Sequence, residues 1–183
     1  SYGPKAIESY QHVLNLRPED GDAIRGLANL YYDQERFEDA AAQYERYLKL
    51  HPGDPNVRTD LATTYLYERK VDRAIDTYRE VLAKNPSFLQ AHFNLGLAYE
   101  SQGKRAEALA SLAKAKELAT DEPTKTRIDR VVTQLESAPA GARDVLAPPN
   151  PPADASDGTR ADGAAPPAAG SGTLPPGHPA VGA

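Results

Sequence analysis

The chain contains no cysteine, no methionine and no tryptophan among its 183 residues. The lack of cysteine excludes disulfide bonds and thiolate metal sites, and it is compatible with either the cytoplasm or the periplasm. Long apolar runs are also missing, so no segment approaches the roughly 20 residues that cross a bilayer. No leader is visible at Ser1, and we expect any targeting segment to lie upstream of it.

Patterns that carry chemistry are equally scarce. There is no glycine-rich phosphate loop, no serine-centred elbow and no cysteine nucleophile. The four histidines, His12, His51, His92 and His178, lack the spacing of metal ligands. Residues 1–138 carry 19 basic and 22 acidic residues without a basic stripe. We therefore expect no enzymatic activity, no metal or other cofactor and no nucleic-acid partner.

The composition changes after residue 138. Residues 139–183 hold ten of the sixteen prolines and none of the aromatic residues. Such a segment cannot bury enough apolar surface to offset its chain entropy, so we expect a disordered tail. Its run from Pro148 to Pro152 favours an extended conformation, which suits a spacer or, less readily, a ligand for a proline-recognising module.

Before the tail the sequence repeats with a period of 34 residues. Pro18, Pro52 and Pro86 follow this step. Other residue columns share it, and several independent columns with one period indicate a repeat array. These columns are Leu27, Leu61 and Leu95; Tyr31, Tyr65 and Tyr99; Ala6, Ala40, Ala74 and Ala108; and Tyr10, Tyr44 and Tyr78.

Within each period the apolar spacing is that of two helices. Leu27, Ala28 and Tyr31 fall on one helical stripe, and the second half of the period has its own. Asp54 before Pro55 predicts a capped helix start, and Ser87 with Gln90 predicts a capping box. Gly103 should separate the helices of its pair. The predicted helices span 21–34, 38–50, 55–68, 72–84, 89–101 and 105–119.

A 34-residue helix pair with these residues resembles the tetratricopeptide repeat. The best match is Leu95-Gly96-Leu97-Ala98-Tyr99, followed by Gly103 and Ala108. The resemblance implies an all-α fold, a right-handed α-solenoid of antiparallel helix pairs that form a superhelix. Where the family usually has a large aromatic residue this chain has Ile24, Arg58 and His92, and we expect His92 to pack within its helix pair.

The repeat also assigns the ends of the array. Residues 4–16 carry the second-helix pattern with no first helix before it, so we expect a piece of a longer array. That unpaired helix offers a route to self-association. Ile128, Val131, Val132 and Leu135 share one face of a predicted capping helix. The expected units are 1–20 (second helix of a truncated repeat), 21–54, 55–88 and 89–122 (complete repeats), 123–138 (capping helix) and 139–183 (tail).

In this family the first helices line a concave groove that binds protein. The resemblance therefore implies a partner-binding groove in which Tyr32, Leu66, Tyr67, Phe93 and Leu97 form an apolar strip for a protein or peptide segment. A site for a terminal carboxylate, known from some members, is excluded because Asp60 would repel that group. The complete predicted set is Arg25, Asn29, Tyr32, Asn56, Thr59, Thr63, Leu66, Tyr67, Gln90, Phe93, Asn94 and Leu97.

These observations predict an interaction scaffold that binds a partner segment in its groove. One alternative is the recognition or oligomerisation arm of a larger enzyme, with a catalytic domain upstream of Ser1. Another is an assembly factor of the bacterial envelope, because the stretch from Asn56 to Leu61 and the Ala/Pro-rich tail resemble bacterial repeat proteins linked to cytochrome c maturation. Fold analogy alone does not choose among them.

Overall fold

The computed structural model describes residues 2–137, and the predicted tail at 139–183 lies outside them. Every regular element in this part of the chain is an α-helix, which confirms the all-α solenoid. Neighbouring helices in the sequence pack against each other along the whole array. The helices are α1 (Tyr2–Leu16), α2 (Gly21–Asp33), α3 (Phe37–Leu50), α4 (Pro55–Tyr67), α5 (Val71–Lys84), α6 (Leu89–Ser101), α7 (Arg105–Leu118) and α8 (Glu122–Ser137).

The first helix of each pair begins at the same point of the 34-residue period. The Asp54 carboxylate caps α4 by accepting hydrogen bonds from the backbone N–H groups of Asn56 and Val57, at 2.9 and 3.2 Å, as predicted. Asp20 caps α2 in the same way. The capping box at Ser87 was wrong, because α6 is preceded by Phe88 and has no side-chain cap. Phe88 is partly buried and packs against the core.

The turn inside each pair uses one left-handed residue. Gly103 has a φ of 72°, which confirms its predicted role as the helix breaker. The equivalent residues Glu35 and Arg69 take φ values of 58° and 63°, although a side chain makes this backbone conformation unfavourable. All three turns are closed by a backbone hydrogen bond of 2.9 Å from the following residue to the carbonyl of the tyrosine at Tyr31, Tyr65 or Tyr99.

The core is built from the repeated columns of the second helices. Ala40, Ala74 and Ala108 are completely buried, and their small side chains let each second helix approach its first helix closely. Tyr44 and Tyr78 are also completely buried, and Leu112 takes this position in the third pair. The third pair therefore replaces a phenol by an apolar group, which removes a buried polar atom.

Consecutive pairs are joined through the tyrosines of the first helices. The hydroxyl of Tyr31 accepts a hydrogen bond from the Gln11 amide at 3.4 Å, and that of Tyr65 donates one to Glu45 at 2.5 Å. The Tyr99 hydroxyl accepts one from Arg79 Nε at 3.1 Å. Each bond spans 20 residues and runs from a first helix to the second helix of the preceding pair. The same repeat position, occupied by tyrosine, therefore forms all three connections between consecutive pairs, which we call the tyrosine joints.

The closing prolines offer their carbonyl groups to side chains of the array. Arg58 donates to the Pro52 carbonyl at 2.9 Å, and Arg46 donates to that of Pro18. His92 makes the equivalent contact, with Nε2 at 2.8 Å from the Pro86 carbonyl. This contact places the half-buried His92 ring beside the turn before α6, and its packing within the helix pair stays a prediction.

The two ends of the described array differ. On α8, Ile128 and Leu135 are buried against the array and Val131 and Val132 pack beside them, which confirms the predicted apolar face. On α1, Leu16 is 71% exposed, and Tyr10 is only partly buried where its equivalents Tyr44 and Tyr78 are covered completely. None of the helices in residues 2–137 is both long and apolar enough to span a bilayer.

Candidate protein-binding surface

The candidate surface lies on the first helices α2, α4 and α6, and we call this face the inner surface. Each first helix packs on the second helix of its own pair and on that of the preceding pair. Helices α4 and α6 also contact each other directly, although α5 lies between them in the sequence. That the first helices line the concave side of the array stays a prediction.

In α2 the predicted residues are only partly accessible. Arg25 and Asn29 are half-buried, whereas Tyr32 is just 9% exposed. The Asn29 carboxamide oxygen accepts a hydrogen bond of 2.7 Å from the buried Tyr44 hydroxyl. Asn29 therefore holds α2 onto α3, in addition to any contact that it makes with a partner.

In α4 most of the predicted residues are buried. Asn56 is exposed and Tyr67 is half-buried, but Thr59, Thr63 and Leu66 are each at most 2% exposed. The threonine hydroxyls donate back to carbonyls four residues earlier in α4, at 2.7 Å for Thr59 and 2.9 Å for Thr63. These bonds satisfy polar groups that the close packing of α4 has removed from water.

In α6 the inner surface is again divided. Gln90 and Leu97 are half-buried, whereas Phe93 and Asn94 are 4% and 1% exposed. The Asn94 amide donates to the Thr63 hydroxyl at 3.2 Å, and that hydroxyl shares a hydrogen bond of 2.8 Å with Tyr78. This buried network ties α6 to α4 and α5.

Most residues of the predicted apolar strip are therefore buried. Tyr67 and Leu97 keep accessible surface, while Tyr32, Leu66 and Phe93 are core residues of the array. The guanidinium of Arg127, on α8, lies over the Phe93 ring, 5.0 Å from the ring centre. Binding of a partner at the predicted residues stays a prediction, and the accessible members are Arg25, Asn29, Asn56, Tyr67, Gln90 and Leu97.

An aromatic cluster at one edge of the inner surface was missed by the sequence analysis. Tyr32 lies edge-on to both Phe37 and Tyr67, with ring centres 5.7 and 5.6 Å apart. Phe37 and Tyr67 stack face to face at 4.8 Å. The sequence separations of these residues match neither the spacing of one helix face nor the 34-residue period. The repeat pattern therefore gives no signal for the cluster.

Burial dominates the chemistry of the tyrosines in and near this cluster. Desolvation raises the pKa of Tyr32 far above its usual value, and the neighbouring Tyr67 hydroxyl adds to the rise. Desolvation also raises the pKa of Tyr67, although the neighbouring Tyr32 hydroxyl acts in the opposite direction. At neutral pH these phenols are uncharged, so the cluster offers an apolar wall with hydroxyl groups and no anionic oxygen.

Carboxylates and histidines in this part of the protein are dispersed. No group of three or more such side chains within residues 2–137 is arranged to hold a metal ion. Asp60 and Glu100 lie on the first helices but are 6% and 2% exposed, so they are parts of the packed array. The accessible members of the predicted set carry three amides, one guanidinium, one phenol and one aliphatic side chain, and Asp22 and Asp33 of α2 are exposed as well. Such a mixture suits recognition of another polypeptide.

Two sequence models of the tetratricopeptide repeat family match the chain, one over residues 4–62 and the other over residues 59–123. The chain belongs to the tetratricopeptide repeat family. No curated protein sequence matches it.

Solved structures share the fold. A crystal structure of MamA is similar with a TM-score of 0.63 and 22% sequence identity, and the match covers 70% of this chain and 74% of that one. A second MamA crystal structure gives 0.62 and 22%, over 70% of this chain and 69% of that one. A third, of MamA from AMB-1, gives 0.56 and 25%, over 62% and 66%.

Proposed function

We propose that the chain is an interaction scaffold that binds a segment of another protein along its inner surface, without catalytic chemistry of its own. Membership of the tetratricopeptide repeat family supports a role in protein interaction. The observation that carries the finer proposal is the set of side chains that packing leaves accessible along three neighbouring helices. They include Asn56 on α4 and Gln90 and Leu97 on α6.

These side chains fit the chemistry of a polypeptide segment. The carboxamides of Asn56 and Gln90 can each donate and accept, as the alternating N–H and C=O groups of an extended backbone require. Tyr67 and Leu97 offer apolar contacts between them. The buried network of Thr63, Tyr78 and Asn94 holds α4, α5 and α6 in place. A surface fixed in this way loses little conformational entropy when it binds.

The proposal is tested by charging the inner surface. A triple variant with Asn56→Lys, Gln90→Lys and Leu97→Lys places three long cations on α4 and α6. Its matched control places the same three charges on the outer helices α3, α5 and α7, as Ala42→Lys, Ala83→Lys and Ala110→Lys, where all three alanines are exposed. Circular dichroism checks that both variants remain folded, and proteins bound from extracts of the source cell are quantified by mass spectrometry.

We expect the inner-surface variant to lose the proteins bound by the unaltered chain, and the outer-surface control to keep them. Charges placed outside a binding face alter association only modestly. A loss that is confined to the inner-surface variant therefore locates the binding face. Equal retention by both variants would contradict binding on the inner surface. Equal loss would assign binding to the overall charge of the chain instead.

The two alternatives gain no specific support from the structure. An arm of a larger enzyme would use the same inner surface, so the contacts within residues 2–137 do not favour it over a scaffold. The stretch that suggested a bacterial assembly factor lies in the first turns of α4, where Val57 and Leu61 are buried. Thr59 and Asp60 of the stretch are buried as well, so most of its residues serve packing, and the assembly factor stays an alternative.

A further inference from the structure

A cleft lies at the edge of the array, where the turns of the first two complete pairs meet. Residues 35–39, from the α2–α3 turn and the start of α3, form one side, and Glu68 and Lys70 of the α4–α5 turn form the other. We call this the turn cleft, and its volume is about 380 Å³. Four carboxylates and two basic side chains line it, so its walls carry excess negative charge.

The basic side chains of the turn cleft already have partners. Arg36 binds Asp39, with Nη2 at 2.6 Å from the carboxylate, and its guanidinium also lies 4.3 Å from the Tyr31 ring centre. The Lys70 ammonium lies 2.7 Å from Glu68 Oε1. The remaining carboxylates, Glu35 and Glu38, are exposed to water. An incoming cation would therefore meet an attractive rim.

Glu68 is the exception among these carboxylates. Its side chain is only 5% exposed, and its second oxygen, Oε2, is buried and accepts no hydrogen bond from any described residue. A buried carboxylate oxygen without a donor is costly. The Lys70 ammonium contacts only Oε1, at 2.7 Å, and leaves Oε2 without a donor. Glu68 therefore has binding capacity that its own chain does not use.

We propose that the turn cleft binds an arginine side chain of the partner segment, whose guanidinium replaces the Lys70 ammonium at Glu68. A guanidinium presents two parallel N–H groups that match both oxygens of a carboxylate. Lys70 can give way to a guanidinium, because its side chain is 45% exposed and its ammonium can return to water while the incoming cation keeps Glu68 paired. The inference rests on the proposed function, since it takes the partner to be a protein segment.

An aromatic wall connects the turn cleft with the inner surface. Phe37 lines the cleft, and its ring stacks on that of Tyr67, which belongs to the inner surface. Guanidinium groups favour contact with aromatic rings. A segment that lies along the inner surface therefore passes this edge and can extend one side chain over Phe37 towards Glu68.

The site is specific to one turn of the array. The residues equivalent to Glu68 in the other two complete pairs are Gln34 and Gln102, which carry no charge. The Gln102 amide donates instead to Asp72 at 2.6 Å. Lys104 is the equivalent of Lys70 in the third pair and is exposed. The Lys104 position therefore provides a matched control in the same turn geometry without the glutamate.

The test uses the full chain and three blocked tripeptides with glycine on both sides of arginine, lysine or citrulline. Backbone amide NMR signals of Glu35 and Arg69 report binding, at constant ionic strength because salt screens the interaction. We expect saturable shifts with the arginine peptide, about threefold weaker binding of the lysine peptide and no binding of the citrulline peptide, because the site requires a positive charge and the guanidinium fork adds affinity. Equal shifts with citrulline and arginine would overturn the proposal.

Three variants separate the roles of the residues. Glu68→Gln keeps the shape of the side chain but removes its charge. We expect this variant to bind the arginine peptide about tenfold more weakly or worse. Lys70→Met should increase the affinity for the arginine peptide by about threefold, since the ammonium that competes for Glu68 is gone. Lys104→Met should change nothing. A Lys70→Met variant that binds no more tightly, or as weakly as Glu68→Gln, would refute replacement of the ammonium.

The outcome is separable from that of the proposed function. If extract proteins still bind Glu68→Gln as they bind the unaltered chain while the inner-surface variant loses them, the scaffold stands and the arginine site is wrong. If the peptide binds as expected and the inner-surface variant keeps all its partners, the turn cleft stands and the proposed binding face is wrong.

Discussion

Arg69 occupies a position whose backbone favours glycine. Its φ of 63° lies in the left-handed region, its side chain is exposed, and the equivalent residue of the next pair is Gly103. The left-handed conformation costs a residue with a side chain about 1–2 kcal/mol, and glycine adopts it freely at some cost in unfolded-state entropy. We therefore expect Arg69→Gly to raise the free energy of unfolding by about 1 kcal/mol, measured by urea denaturation.

The reverse change tests the same cause. Gly103→Ala places a Cβ on a backbone at φ 72°, with open space around it. Because the new methyl group meets no neighbouring atom, any loss of stability comes from the backbone. The explanation would be wrong if Arg69→Gly destabilised the chain, or if Gly103→Ala left the unfolding midpoint unchanged.

The repeated residues show what a sequence can and cannot predict at this scale. Gly103 and Asp54 carry their conformational preference in their own chemistry, so the turn and the cap were predicted correctly. Glu35 and Arg69 do not favour a left-handed turn, and their conformation follows from the closing hydrogen bonds at Tyr31 and Tyr65. The error at Ser87 has a similar origin, because packing of Phe88 overrides a local capping preference.

The helices themselves follow closely from the sequence. The predicted spans agree with the observed ones at seven of the twelve helix ends and differ by one residue at the other five, because the 34-residue period fixes where each helix can start. The face of each helix was also predictable, as the burial of Ile128 and Leu135 on α8 shows. The repeat period did not predict how closely consecutive first helices approach each other, because that distance depends on how several side chains pack together.

Helix α8 should stabilise the array by covering its last complete pair. Ile128 is completely buried, so Ile128→Ala leaves a cavity against α7 and should lower the free energy of unfolding by about 2–4 kcal/mol. Thermal denaturation followed by circular dichroism measures the change. Arg130→Ala on the exposed side of α8 is the control and should have little effect. Equal melting temperatures for the two variants would show that α8 does not cap the array.

For the whole molecule, the accessible surface was the hardest property to predict. The inner-surface residues were selected by their position in the period, which assigns each of them to a first helix but does not give its exposure. Leu66 and Phe93 belong to that face and are nevertheless buried, because α4 and α6 are in direct contact. The turn cleft joins residues of two repeats through tertiary packing, so no sequence pattern marks it.

The buried tyrosines predict alkaline unfolding. Desolvation is the largest cause that raises the pKa values of Tyr32, Tyr65 and Tyr78 in the folded chain, whereas unfolded tyrosine titrates near pH 10. The folded pKa is the higher one, so this contribution to stability is complete below about pH 10 and is lost as the pH rises further. Each tyrosine that stays protonated then lowers the free energy of unfolding by about 1.4 kcal/mol per pH unit.

The measurement pairs phenolate absorbance with circular dichroism. Exposed tyrosines should ionise near pH 10 with the helices intact, and the buried ones should ionise together with the loss of helical signal. Ionisation of all ten tyrosines near pH 10 in a chain that keeps its helices would contradict the burial described for these three.

The tyrosine joints have a consequence for how such an array can diverge. A phenol can give or receive a proton in a hydrogen bond, and the three joints use both options, with a neutral amide at Gln11, an anion at Glu45 and a cation at Arg79. Neighbouring second helices can therefore change the sign of their charge without breaking the connection between units. Tyrosine at this one position leaves the outer helices free to acquire different surface chemistry while the units continue to stack.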